Sequence, residues 1–210
     1  MKNLITIGLP SKGRLKDKAV TFFNDRGLKV LQSDKERNYF ASIENKSNIK
    51  IIYLHAKEII QRLGDGTLDI GISGLDLLNE SEKNLKDKII IKKKLDFGGA
   101  NLVVAVPDDW IDVQTIADLE EVAFDIRLRR NTRLRVATKY PNLTNSFLIS
   151  KGVTQYKLIS SLGATETYPF IGSSEIITDI TSTGKTLEDN NLRILKDGLI
   201  LKSTACLFVA

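Results

Sequence analysis

The sequence predicts an α/β protein built as two α/β lobes around a cleft. Three observations carry this reading. Short β-rich apolar runs alternate with helical segments, the pattern of parallel α/β units. Glycine- or hydroxyl-rich loops follow several of those runs, at 10–14, 71–76 and 179–187, and the carboxyl ends of strands are where open α/β sheets bind ligands. A new unit opens at Gly98-Gly99 after residues 95–97. At 210 residues, 42% hydrophobic and 27% charged, the chain suffices for one good-sized core or two small lobes.

Residues 4–9 form a buried strand, and the loop Pro10-Ser11-Lys12-Gly13-Arg14 leads into a helix with Leu15, Ala19, Phe22 and Phe23 on one face. Residues 49–54 and 68–72 are further strands. The helix 56–63 lies between them and is ended by Gly64-Asp65-Gly66. In the second unit the strand 101–106 stops at Pro107-Asp108-Asp109, and a strand at 133–138 is followed by a helix entered through Pro141, with Asn142 or Thr144 near its start. Strands at 156–160 and 176–180 complete this unit, and 192–201 is long enough to return to the first. The expected division is therefore 1–95 plus 191–210 for lobe I and 96–190 for lobe II, with crossings near 95–100 and 190–192.

Composition excludes several function classes. One cysteine, Cys206, gives no disulfide framework, and a single histidine, His55, leaves no Cys/His zinc site. The N-terminal apolar stretch is too short for a signal peptide, and no apolar run approaches the ~20 residues of a membrane span. A soluble cytoplasmic protein without membrane contact is expected. The net charge of +5 and the cluster Arg127, Arg129, Arg130, Arg133 and Arg135 raise a nucleic-acid reading. The arginines lack interleaved aromatics, however, and alternate with Leu128, Leu134 and Val136 like the solvated edge of a helix and the next strand; no nucleic-acid partner is expected. Modest positive charge also suits substrates that carry phosphates.

The segment Asp179-Ile-Thr-Ser-Thr-Gly-Lys-Thr-Leu187 packs hydroxyls and a glycine into a turn after an apolar run. Backbone N–H groups of such a turn form an anion-binding concavity, the hydroxyls add donors, and a helix starting near Thr186 would add its positive end. Gly184-Lys185-Thr186 matches the end of a nucleoside-triphosphatase P-loop, but that motif requires glycine where Asp179 stands. A sugar phosphate fits better, with Asp179 accepting from ribose hydroxyls. A hydroxyl-rich surface turn is the other reading.

Six segments in order carry a family resemblance: Leu9-Pro10-Ser11-Lys12-Gly13-Arg14-Leu15; Asp69-Ile70-Gly71-Ile72-Ser73-Gly74-Leu75-Asp76; Leu95-Asp96-Phe97-Gly98-Gly99-Ala100; Arg135-Val136-Ala137-Thr138-Lys139-Tyr140-Pro141-Asn142-Leu143-Thr144; Gly163-Ala164-Thr165-Glu166; and the 179–187 loop. Through nearly its whole length the chain resembles the catalytic subunit of ATP phosphoribosyltransferase, in its short form. The resemblance implies a fold similar to type II periplasmic binding proteins with catalysis in the interlobe cleft. It implies ATP and 5-phosphoribosyl-1-pyrophosphate as substrates, with magnesium, in the first step of histidine biosynthesis. It further implies a homodimer within a hetero-oligomer that includes a regulatory subunit similar to histidyl-tRNA synthetase. Ser173-Ser174-Glu175 departs from the family, where a more apolar helix start is expected. The chain also stops at Ala210, where the family continues into a further helix.

The chemistry agrees with the resemblance. Joining N1 of adenine to C1 of the ribose and expelling pyrophosphate requires alignment and charge stabilisation but no protein nucleophile. Thr181, Ser182, Thr183, Gly184, Lys185 and Thr186 would hold the 5-phosphate, and Glu166 and Asp179 the ribose hydroxyls. Magnesium, held chiefly through substrate phosphates, needs no dedicated protein cage. By the resemblance Lys12, Arg14 and Arg37 face the cleft, with Arg14 and Arg37 contacting ATP and the departing pyrophosphate. A cation near a helix N-terminus is opposed by the dipole, which favours a bound anion as the reason for Arg14. Arg37 by itself reads as a solvated loop residue. Gly74, Asp76, Thr138 and Tyr140 are the cleft-lining candidates. Tyr140 equally suits a cap on the core, Asp69 or Asp76 equally suits a helix cap, and His55 is expected to be structural. A two-lobed solute-binding protein and a phosphoribosyltransferase for another base are the alternative functions.

Overall fold

The computed structural model describes residues 4–32 and 39–210, so Arg37 lies outside the described residues, as does the side chain of Arg14. In chain order the first elements are β1 (Ile5–Pro10), α1 (Gly13–Asn24), β2 (Val30–Gln32), β3 (Phe40–Ile43), β4 (Lys46–Leu54), α2 (Ala56–Gly64), β5 (Ile70–Gly74), α3 (Leu75–Glu80), α4 (Lys83–Lys86) and β6 (Ile90–Lys94). They are followed by β7 (Ala100–Pro107), α5 (Ile116–Arg130), β8 (Leu134–Thr138), α6 (Pro141–Ser150), β9 (Tyr156–Ser160), β10 (Ile176–Thr181), α7 (Lys185–Glu188), β11 (Leu192–Ser203) and β12 (Ala205–Val209). The chain divides into two units, Met1–Gly99 with Ser203–Ala210, and Ala100–Lys202.

The first unit holds a seven-stranded sheet of order β2-β3-β4-β1-β5-β12-β6. Parallel pairing is confined to β1 with β4 and β5; β2, β3, β12 and β6 pair antiparallel. The expected faces of both central helices are present. On α1, Ala19, Phe22 and Phe23 are buried with Ile7, Leu9, Ile51 and Ile72 of the sheet, and Arg26 lies 3.7 Å over the Phe22 ring. His55 caps α2, its ring accepting from the Lys57 N–H at 3.3 Å, which bears out a structural role. Ile59, Ile60 and Leu63 are buried on the sheet with Leu68, Cys206 and Phe208.

The second unit is a five-stranded sheet of order β11-β7-β10-β8-β9. β8 is parallel to β9 and β10, whereas β7 is antiparallel to β10. Ile116, Leu119 and Ala123 of α5 and Leu148 of α6 are buried against Val104, Val136 and Ile176. A reciprocal Thr115–Asp118 capping box starts α5, and Asn131, at a φ of 52°, ends it. Four of the five clustered arginines have structural settings, while Arg133 is exposed between α5 and β8. Arg127, Arg129 and Arg130 occupy the last turn of α5, where cations complement the helix dipole, and Arg135 pairs with Glu175.

Three expectations are corrected. The sheets are mixed, not purely parallel. The return crossing lies at 202/203, not near 190–192, because β11 runs twelve residues along the second sheet and only β12 joins the first; the other crossing falls at 99/100. Ser173-Ser174-Glu175 is not a helix start: Glu175 turns back onto Arg135 and the chain enters β10 directly. Among the described residues no helix is long and apolar enough to cross a membrane.

Candidate functional site

The second unit gathers its chemistry at the carboxyl ends of β8 and β10. Asp179 sits on β10 and is buried, its Oδ1 accepting from the Ile180 N–H at 2.8 Å and lying 3.9 Å from Lys139 Nζ. Burial pushes its pKa up; the Ile180 N–H and the Lys139 charge oppose that rise, and the negative charge of Glu166 adds to it. Glu166 comes from a single 3₁₀ turn, Thr165–Thr167, anchored by a 2.9 Å contact between the buried hydroxyls of Ser161 and Thr165. Two carboxylates thus share one electrostatic environment beside an ammonium.

The loop after β10 makes a turn of the kind expected for an anion. The Gly184 N–H donates to Thr181 Oγ1 at 2.8 Å and the Lys185 N–H to Thr183 Oγ1 at 3.3 Å, so these hydroxyls shape the turn while keeping their own protons to donate. Among the described residues the backbone N–H groups of Ser182, Thr183 and Thr186 have no acceptor. These exposed residues, with Lys185, form a rim of donors around a buried Gly184. α7 begins at Lys185 and is one turn long, so any anion held at this turn would meet backbone donors and not the end of an extended helix dipole.

Behind this loop, three threonine hydroxyls close a buried ring. Thr178 Oγ1 donates to Thr138 Oγ1 at 2.6 Å, and Thr144 Oγ1 lies 3.1 Å from Thr138 and 2.7 Å from Thr178. The Tyr140 N–H also donates to Thr138 Oγ1, at 2.9 Å. The ring ties β8, β10 and the first turn of α6 together. Thr138, expected to line a ligand site, is 1% exposed with its hydroxyl committed to this ring. Tyr140, at 6%, belongs to the core side of its two readings.

In the first unit, Ser11 and Lys12 follow β1, with the Ser11 N–H donating to the Leu54 carbonyl at 2.9 Å. Lys12 is exposed and immediately precedes α1, whose first turn includes Arg14. Asp69 and Asp76 stand at opposite ends of β5. Asp69 accepts from the Thr6 N–H and hydroxyl, both at 2.8 Å. Asp76 is buried, with Ser203 Oγ donating to its Oδ1 at 2.6 Å. A Cβ at Gly74 would collide with the Asp76 carboxylate. Asp76 and Gly74, expected to face ligand, thus serve the attachment of the chain's last strand.

Lys139, Thr144, Thr178 and Ser161 were not among the expected site residues. Thr144 and Thr178 had a weak signal, polar residues spaced as if on the apolar faces of a helix and a strand. Lys139 had none beyond standing where a strand ends.

Fold and site together define a class: a two-unit α/β protein with a donor-rich turn after β10 beside paired carboxylates, an arrangement suited to an enzyme acting on a sugar phosphate. A family model described as ATP phosphoribosyltransferase matches residues 55–210. The ATP phosphoribosyltransferases of Brucella melitensis biotype 2 and Brucella abortus strain 2308 are each 47% identical over 207 residues, covering 98% of this chain and 90% of the relative. The chain belongs to the ATP phosphoribosyltransferase family. Among solved structures, the ATP phosphoribosyl transferase (HisG:HisZ) complex from Thermotoga maritima aligns with a TM-score of 0.74 at 27% identity, over 98% of this chain and 87% of that one. The GluR0 ligand-binding core with L-glutamate aligns at 0.57 and 11% identity, over 98% and 84%, a likeness of fold alone that bears out the periplasmic-binding-protein architecture.

Proposed function

We propose that this chain transfers the 5-phosphoribosyl group of 5-phosphoribosyl-1-pyrophosphate to N1 of ATP with release of pyrophosphate, the first step of histidine biosynthesis, in the cytoplasm. The observation that carries the reading is the turn at 181–186, whose unpaired backbone donors stand beside Asp179 and Glu166. The donors would take the 5-phosphate and the carboxylates the ribose hydroxyls, fixing C1 for in-line attack by the adenine nitrogen. Positive charge on Lys12, Arg14 and Arg37 would bind ATP and stabilise the leaving pyrophosphate.

The residues fit magnesium that arrives with substrate. Among the described residues no cluster of three or more His, Cys, Asp or Glu could hold a metal ion, while Glu166 and Asp179 form a pair of carboxylates near the phosphate loop. Such a pair suits an ion bound mainly through substrate phosphates, with one carboxylate completing the set. When bound, it would neutralise charge on the pyrophosphate.

By its likeness to the Thermotoga HisG:HisZ complex, the chain is proposed to assemble, as a homodimer, with a regulatory subunit similar to histidyl-tRNA synthetase. Incubation with ATP, 5-phosphoribosyl-1-pyrophosphate and magnesium, with pyrophosphatase present, should give the ultraviolet signal of the phosphoribosylated purine. Another purine accepted in place of ATP, or binding without turnover, would overturn the activity. Strong inhibition of the isolated chain by histidine would overturn the regulatory arrangement, since it would place the effector site within these two units.

A further inference from the structure

We propose that the second unit carries a further binding site, for a small organic cation with an apolar or aromatic body, at the end of β8 and β10 remote from the phosphate loop. A cavity of about 620 Å³ opens there between Pro107–Trp110, Pro169–Gly172, the Arg135/Glu175 pair and Asn190–Leu192. That volume matches ordinary small-molecule sites. None of the proposed substrate-binding side chains lines it.

Ring surface and charge give the site its chemistry. Trp110 and Phe170 supply ring surface, and Phe170 stands 91% exposed at the rim. Burying that ring would favour a ligand with an apolar body.

The charge balance selects the sign. Arg135 is neutralised by Glu175, with contacts of 3.1 and 2.7 Å from Nε and Nη2 to Oε1 and a further 2.7 Å bond from its backbone N–H to Oε2. Arg193, next in the chain to the lining residue Leu192, donates to the Trp110 and Val113 carbonyls. Asp108 and Asp109 are exposed on the wall, and among the described residues neither has an ion-pair partner. Two unneutralised carboxylates beside aromatic rings favour a cation, which the rings attract as well.

Trp110 is the single tryptophan of the chain, so its emission reports on the cavity. Titrating the full chain with 2-phenylethylammonium should change that emission saturably, in the millimolar range or tighter, and calorimetry should give the same constant. The double change D108N/D109N should weaken binding of this probe about tenfold, and more at low salt than at high salt. The uncharged isostere 2-phenylethanol should bind at least tenfold less tightly. No saturable response, equal binding of the alcohol, or undiminished binding by the D108N/D109N variant would each overturn the proposal.

Discussion

Substituting Gly184 separates two requirements of the proposed phosphate loop, one for folding and one for ligand. Its φ of +82° is left-handed, where an ordinary L-residue costs about 1–2 kcal/mol. A Cβ there would meet nothing nearer than Ile194 Cδ1 at 3.9 Å and Glu188 Oε1 at 4.0 Å, so no collision adds to that cost. Gly184→Ala should therefore lower the melting temperature by roughly 2–8 °C, at about 2–4 °C per kcal/mol for a chain of this size. A side chain would also stand where a phosphate approaches the backbone, and losing one hydrogen bond to a charged group, about 1.5–3 kcal/mol, corresponds to roughly a tenfold or greater loss of affinity. Gly184→Asn distinguishes the two effects, since asparagine tolerates the left-handed region. It should recover most of the melting temperature and leave affinity impaired. Thermal denaturation of the apo chain and calorimetric titration with 5-phosphoribosyl-1-pyrophosphate supply both numbers. An unchanged melting temperature for the alanine variant would refute the backbone argument. Full recovery of affinity in the asparagine variant would refute the argument from close approach.

Three other outcomes are expected. Replacing Thr183 or Thr186 by alanine should weaken 5-phosphoribosyl-1-pyrophosphate by about 1.5–3 kcal/mol, and unchanged calorimetric affinity in both variants would remove the loop as the phosphate site. Arg14→Ala and Arg37→Ala should each lower kcat by roughly 10²-fold, with lysine rescuing only in part because it lacks the planar fork; a wild-type kcat with a raised KM for ATP would make the role ground-state binding. Asp179→Asn should bind substrate less well yet melt higher at neutral pH. The folded Asp179 pKa is raised, so the folded state binds the proton more tightly than the unfolded one. The resulting destabilisation is absent below the unfolded pKa, near 3.9, and complete above the folded one. The wild-type-minus-variant stability difference should accordingly become less favourable to the wild type as pH rises through that window, and a flat difference would contradict the burial argument.

Local chemistry is what the sequence alone determined. The apolar faces of α1 and α2, the proline entry to α6, the strands of β1, β4, β7 to β10 and the turn at 181–186 each depend on residues within a few positions of one another. Periodicity and turn chemistry therefore reveal them. Pairing between distant segments was decided only by the tertiary structure. Nothing local indicates that 192–203 continues the second sheet while 205–209 enters the first between β5 and β6, because antiparallel partners are chosen by the match of buried faces across the sheet. The same holds within the sites. Asp76 reads as a cleft-lining or helix-capping carboxylate until Ser203, 127 positions away, is placed against it. Asp179 reads as an ordinary acid until folding buries it between Glu166 and Lys139, and the strength of that perturbation follows from burial and distance, which a one-dimensional pattern does not contain.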